Sequence, residues 1–167
     1  MGWAAAHAQG PAVQAAREVV QTQAFSSLEP VPRGRSFELA VVVTIRPGYH
    51  INAHRVSDPF LIPTELLAHF PPDVRLLGSS YPEGEEKRFS FSPTPLRVYT
   101  GRVVLRLKAQ AGARAHLGER ALPLELRYQA CSDTICLPPV TVPVQAQVQV
   151  VPQGTAARAT HPELFRP

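Results

Sequence analysis

From Phe37 to Ile45 every second residue is apolar, so Phe37, Leu39, Val41, Val43 and Ile45 fall on one face of an extended chain. A helical trace would scatter these side chains around its axis, whereas a strand hides all of them by laying one face on a core. Arg33-Gly34 before this run and Pro47-Gly48 after it are turn chemistry. The same period of two returns three times. Val103, Leu105, Leu107 and Ala109 alternate with Arg102, Arg106 and Lys108, and Leu122, Leu124, Leu126 and Tyr128 alternate with Glu125, Arg127 and Gln129. In the last run Val142, Val144, Ala146, Val148 and Val150 face away from Pro143, Gln145, Gln147 and Gln149, and the proline marks an edge or a strand start. Weaker strands are expected over Val19 to Phe25, Tyr49 to Ala53, Thr64 to His69 and Val74 to Leu77, with Tyr81 to Pro95 as a long irregular loop. Together these make about seven to nine short strands, the pattern of an all-β, two-sheet sandwich.

The ends lack this alternation. Residues 1–17 are rich in Ala and Gln and read as a flexible lead-in or short helix outside the core, and Ala6-His7-Ala8 resembles the small-x-small site of a signal peptidase. Residues 152–167 are polar and aperiodic, as in a linker or disordered tail. The domain proper is therefore expected over 18–151. With 167 residues a core can form without a staple, which leaves the cysteines free for chemistry. The +4 charge is spread over scattered arginines, not gathered into a block, so a solvated surface is expected and nucleic-acid binding is not. No apolar run approaches the roughly 20 residues that a membrane helix needs.

Cys131 and Cys136 lie between the two clearest strands, in Tyr128-Gln129-Ala130-Cys131-Ser132-Asp133-Thr134-Ile135-Cys136-Leu137-Pro138-Pro139. That connection is a hairpin with one cysteine on each arm. Residues facing each other across an antiparallel pair have Cα atoms about 4.5 to 5.5 Å apart, which overlaps the span of a disulfide. As a staple the bond would restrict the unfolded chain by roughly 2 kcal/mol, a modest gain for a hairpin already held by its ladder. A bridge at a hairpin tip also lies near solvent, where labile disulfides are found. A redox pair and a structural staple both fit these residues. Zinc fits less well, because two thiolates without a second ligand pair make a poor site. His50 and His54 are about 13 Å apart along an extended strand, too far to share a metal. No cofactor is indicated.

The cysteine segment, with its Tyr-Gln and Pro-Pro flanks, resembles the active-site hairpin of the N-terminal periplasmic domain of the DsbD thiol:disulfide interchange proteins. Pro47-Gly48-Tyr49-His50-Ile51-Asn52-Ala53-His54, Ser57-Asp58-Pro59-Phe60 with Pro63-Thr64, Tyr81-Pro82-Glu83-Gly84, and Val98-Tyr99 follow that family's pattern in order, from about Val19 to Val150. The resemblance implies an immunoglobulin-like sandwich, exported to the periplasm. Its cysteine pair would take electrons from a thioredoxin-like donor domain and pass them to acceptors such as disulfide isomerases and cytochrome c maturation thioredoxins. It would thus act as a component of a protein-disulfide reductase.

By the same resemblance, Cys136 makes the intermolecular bond and Cys131 resolves it, while an aromatic residue on a cap loop shields the pair. Phe91 is the closest match to that aromatic and Phe89 the second; alternatively both are strand residues facing the core. Asp133 is either a plain turn residue or a charge that raises the thiol pKa. Tyr49, His50 and Asn52 occupy a segment near the cysteines in the family, with Tyr128 at the hairpin's base. His50 can assist proton transfer, although a strand histidine is more often a hydrogen-bonded surface residue. Two rival functions stand beside this one. The first is a binding module with an inert staple. The second is a hydrolase using Ser132, Asp133 and a histidine, for which the nucleophile-elbow and oxyanion-hole patterns are lacking.

Overall fold

A computed structural model of the protein describes residues 10–166, and the signal-peptidase-like Ala6-His7-Ala8 lies outside them. A helix, α1 (Pro11–Glu18), leads into β1 (Val20–Ser26), β2 (Leu28–Glu29), β3 (Val31–Pro32) and β4 (Ser36–Ile45). Then come β5 (His50–Asn52), β6 (Glu65–Ala68), β7 (Val74–Ser80), β8 (Glu85–Lys87) and β9 (Leu96–Tyr99). The chain continues through β10 (Arg102–Ala111), β11 (Gly118–Tyr128), β12 (Ala130–Cys131), β13 (Val140–Val151) and β14 (Arg158–Ala159), and a 3-10 turn follows over Pro162–Leu164.

Two four-stranded sheets, in the orders β1-β4-β10-β7 and β3-β13-β11-β6, form the immunoglobulin-like sandwich. The alternating residues become its core: Leu39, Val41, Val43, Leu105 and Leu107 from one sheet are buried with Leu122, Leu124, Leu126, Val144 and Val148 from the other. Pro143 sits in β13, which β3 flanks only at Val150 and Val151. The missing N–H of that proline thus falls on a stretch with one open side, as expected of an edge.

The short helix offered for the N-terminal stretch forms, but it packs on the core instead of standing outside it, and the C-terminal residues are anchored as well. In α1, Pro11 occupies the first turn, where its missing N–H costs nothing. Ala16 of this helix is fully buried in the main core. It reaches the core because Tyr128, also fully buried, donates its hydroxyl to the Ala16 carbonyl at 2.7 Å. At the other end, β14 pairs with β2, and Arg106 binds the carbonyls of Leu164 and Arg166 at 2.6 and 2.7 Å. Leu164 packs on Ala40 and Val42, the even-numbered residues of β4. The polar appearance of the tail hides one anchoring leucine. That contact buries the sheet face which alternation leaves to solvent.

A third, smaller sheet, β12-β5-β9-β8, carries the site. It begins where β4 and β11 run out and where β10 has yet to start, so the sandwich supports it from both of its layers. The Pro47-Gly48 turn delivers β5 into it. The Tyr49 N–H donates to the Arg46 carbonyl at 3.1 Å, with Gly48 at φ +86°, the arrangement of a Pro-Gly type II turn.

Candidate functional site

The hairpin geometry brings the sulfurs together. The Leu137 N–H donates to the Ala130 carbonyl and the Ser132 N–H to the Ile135 carbonyl, each at 2.8 Å, so these bonds bracket Cys131 and Cys136 on either side. The two cysteines are consequently a non-hydrogen-bonded antiparallel pair, the type in which side chains approach most closely. Their Cα atoms are 4.0 Å apart and the sulfurs are joined in a disulfide. Ser132 folds the tip: its Oγ accepts from the backbone N–H groups of Thr134 and Ile135 at 3.3 and 3.2 Å. This is turn-forming work, and no histidine is hydrogen-bonded to that hydroxyl among the described residues.

The two cysteines differ in access. Cys131, on β12, is 3% exposed, whereas Cys136 on the returning arm is exposed to solvent, with Ile135 beside it at 57%. Of the two bonded residues, Cys136 is thus the one open to solvent.

Across from Cys131 in the sheet register lies His50. The expectation of a surface histidine is overturned: His50 is 3% exposed, and its Nε2 is buried without a hydrogen-bond partner. Burial holds its pKa below the ordinary histidine value, the nearby Asp133 carboxylate acts the other way, and the Lys87 ammonium lowers it further. Phe89 covers the ring in a stack with centroids 4.3 Å apart. Phe91 stacks in turn on Phe89 at 5.1 Å and stands 6.5 Å from His50. Phe89, the second choice from sequence, is thus the aromatic nearer to the histidine.

The alternative placing of Phe89 and Phe91 in a core-facing strand is excluded. β8 ends at Lys87, the Ser92 N–H closes a turn onto the Phe89 carbonyl at 3.1 Å, and Phe91 is 43% exposed. The long loop expected here is a short hairpin arm followed by this turn. A hollow of about 340 Å³ beside the stack is lined by Tyr49, His50, Lys87, Phe89 and Asp133, among others. Asp133 itself is exposed at the hairpin tip.

Asn52 and Tyr128 act elsewhere. Asn52 is buried, and its Nδ2 donates to the Ile62 carbonyl at 3.0 Å while its own carbonyl accepts the Thr64 hydroxyl, which ties the Arg55–Pro63 connection to β5. The hydroxyl of Tyr128 goes to α1, and burial raises its pKa to about 12. His54 lies against Tyr81, ring centroids 3.6 Å apart, and bonds the Thr64 carbonyl at 2.9 Å. Among the described residues no three or more His, Cys, Asp or Glu side chains are grouped to hold a metal ion.

Two contributors were not named as site residues from the sequence. Lys87 carries no signal that would separate it from a solvated surface charge. Gly84 does carry one, standing alone among Pro82, Glu83 and Glu85: a Cβ there would lie 2.6 Å from Ala53 Cβ and 3.1 Å from the Val98 N, so only glycine lets β8 approach β9 and β5 this closely.

A search of curated proteins finds no match to the chain. The family model described as thiol:disulfide interchange protein DsbD, N-terminal, matches residues 15–147, a span that takes in both cysteines, the His50 segment and the Phe89 turn. With a hairpin disulfide on an immunoglobulin-like sandwich at the matched position, the chain belongs to the family of DsbD N-terminal thiol:disulfide interchange domains.

Proposed function

We propose that this domain relays electrons in the periplasm from a thioredoxin-like donor to oxidised partner proteins through Cys131 and Cys136. The observation that carries the reading is the unequal exposure of the bonded pair, with Cys136 open to solvent and Cys131 buried. A thiolate of the donor attacks the Cys136 sulfur, the Cys131–Cys136 bond breaks, and Cys131 leaves as a thiolate that takes up a proton. The donor's second thiolate then attacks its own sulfur in the mixed disulfide, so the donor is oxidised and the pair becomes a dithiol. Delivery to an acceptor runs the same steps in reverse: Cys136 attacks the acceptor disulfide and Cys131 resolves the mixed bond. The stacked Phe89 and Phe91, on a turn outside any strand, serve in this reading as a displaceable cover over the buried side of the pair.

Equilibration of the pair with a glutathione or dithiothreitol buffer tests the reading. A reduction potential between about −180 and −270 mV, the range of exchange proteins, supports it, and a value well below about −300 mV marks an inert staple and overturns it. In the first case Cys131→Ala is expected to accumulate a mixed disulfide with partner proteins through Cys136.

A further inference from the structure

Three features of His50 are not needed to hold the fold together. It faces Cys131 across an antiparallel pair, and such partners place their Cβ atoms on one face about 4.5 to 5.5 Å apart. Its Nε2 is buried and unpaired, an arrangement that costs about 1–3 kcal/mol and is uncommon unless the group has another use. Its ring is roofed by Phe89, which keeps bulk water from competing for that nitrogen. A disulfide sulfur is a weak acceptor and offers the imidazole little, whereas a thiol or thiolate on Cys131 is a proton donor or acceptor on the same face.

We propose that His50 is the proton acceptor for the resolving thiol, taking the Cys131 proton as that sulfur attacks the mixed disulfide on Cys136, and returning a proton to Cys131 when the pair is reduced. The proposal rests on the exchange reading and gives it a chemical route. In the resolving direction the Cys131 S–H bond breaks and the proton passes to the neutral imidazole. The thiolate forms a bond to the Cys136 sulfur, and the Cys136–partner bond breaks. The partner leaves with the electron pair as a thiolate, and the imidazolium releases its proton to the partner or to water. Charge and electrons balance with no further reactant.

The groups facing His50 suit this cycle. Asp133 from the hairpin tip favours the imidazolium formed midway, Lys87 from β8 favours its discharge, and burial under Phe89 keeps the resting ring neutral and ready to accept. Arg46 and Tyr49 line the same hollow from the Pro47-Gly48 turn.

The intramolecular step can be isolated from any protein partner. The reduced 167-residue protein is mixed with excess dithiobis(nitrobenzoate) in stopped flow, and the second equivalent of thionitrobenzoate reports Cys131 attacking the mixed disulfide on Cys136. In the wild type this rate is expected to be flat across neutral pH, because His50 supplies the base. In His50→Gln it is expected to fall by roughly a hundredfold at pH 7. It should also rise about tenfold per pH unit toward the ordinary thiol pKa of about 8.5, as unaided ionisation requires. An unchanged rate overturns the proposal, as does a slower rate with the flat profile retained, which would mark a merely structural role.

Should His50→Gln fail to fold, NMR titration of the wild-type ring decides. The His50 pKa is expected to differ between the oxidised and reduced protein, and identical titration in both states overturns the proposal. Since the first measurement uses a small-molecule disulfide, it reads the role of His50 even if the reduction potential shows the pair to be a staple. The two ideas therefore fail separately.

Discussion

The Tyr128 hydroxyl donates to the carbonyl of Ala16 at 2.7 Å, a bond that joins residues 112 apart in the chain and locks α1 onto the end of β11. Tyr128→Phe keeps the ring and leaves the Ala16 carbonyl without this partner. A loss of about 1–2 kcal/mol in urea unfolding is expected, together with faster amide exchange in α1 and little change in the reduction potential of the cysteines. The same group gives the wild type an alkaline weakness. Its folded pKa of about 12 exceeds the unfolded value of 10.0, so the contribution is intact below pH 10 and is lost as pH rises from there toward 12. In Tyr128→Phe that part of the pH dependence should vanish.

Phe89→Ala removes the ring that stacks on His50. Reduction of the disulfide by dithiothreitol should quicken several-fold. The His50 pKa should rise toward its ordinary value of 6.5, because burial is the main cause of its depression. The corresponding change at Phe91, which stands farther from His50 at 6.5 Å, should have a smaller effect on both readouts.

Gly84→Ala forces a methyl group to within 2.6 Å of Ala53 Cβ unless β8 moves. Overpacking of this kind costs about 1–3 kcal/mol. Since β8 leads directly into the Phe89 turn, amide shifts in β8 and in the turn should change together, and thermal unfolding should begin at a lower temperature.

Far from the cysteines, Asp73 accepts both Arg120 guanidinium nitrogens at 2.7 and 2.8 Å and both the backbone N–H and Nδ1 of His116 at 2.9 Å. These bonds hold its carboxyl far below the usual carboxylate range, with the Arg120 hydrogen bonds as the largest cause. The folded pKa lies below the unfolded value of 3.8, so the stabilisation is present above that value and drains away as pH falls below it. Asp73→Asn should cost about 1–2 kcal/mol at pH 7, an amount tempered by the pair's partial exposure. It should also flatten the acid limb of a stability-against-pH curve measured by chemical denaturation.

His50 adds a second limb. As a histidine with a depressed folded pKa, it favours the folded state fully above about pH 6.5, and that contribution is lost as pH falls from there toward its folded value. His50→Gln, compared with the wild type by the same denaturation series, should remove the slope just below pH 6.5 and leave the Asp73 limb in place.

The strands of the sandwich were legible in the sequence because a half-buried strand must alternate, and Leu39, Val41, Leu105, Leu124 and Val148 do so without interruption. The cysteine pair was legible for a related reason: it lies in the short connection between two strong strands, where antiparallel register leaves few other placements. Which cysteine faces solvent, the burial of His50, and the order of Phe89 and Phe91 above it were not, since each depends on how β12 and the Phe89 turn meet β5, between segments 39 to 81 positions apart in the chain. The docking of the ends was not legible for want of periodicity, because a few apolar residues, Ala16 under Tyr128 and Leu164 over Ala40 and Val42 among them, hold them in place. Local pattern thus determined the strands and the hairpin that can form a disulfide. Tertiary packing alone decided which cysteine is exposed to solvent and which imidazole is left buried and unpaired across the sheet from the other, because burial belongs to the neighbours a residue meets in space.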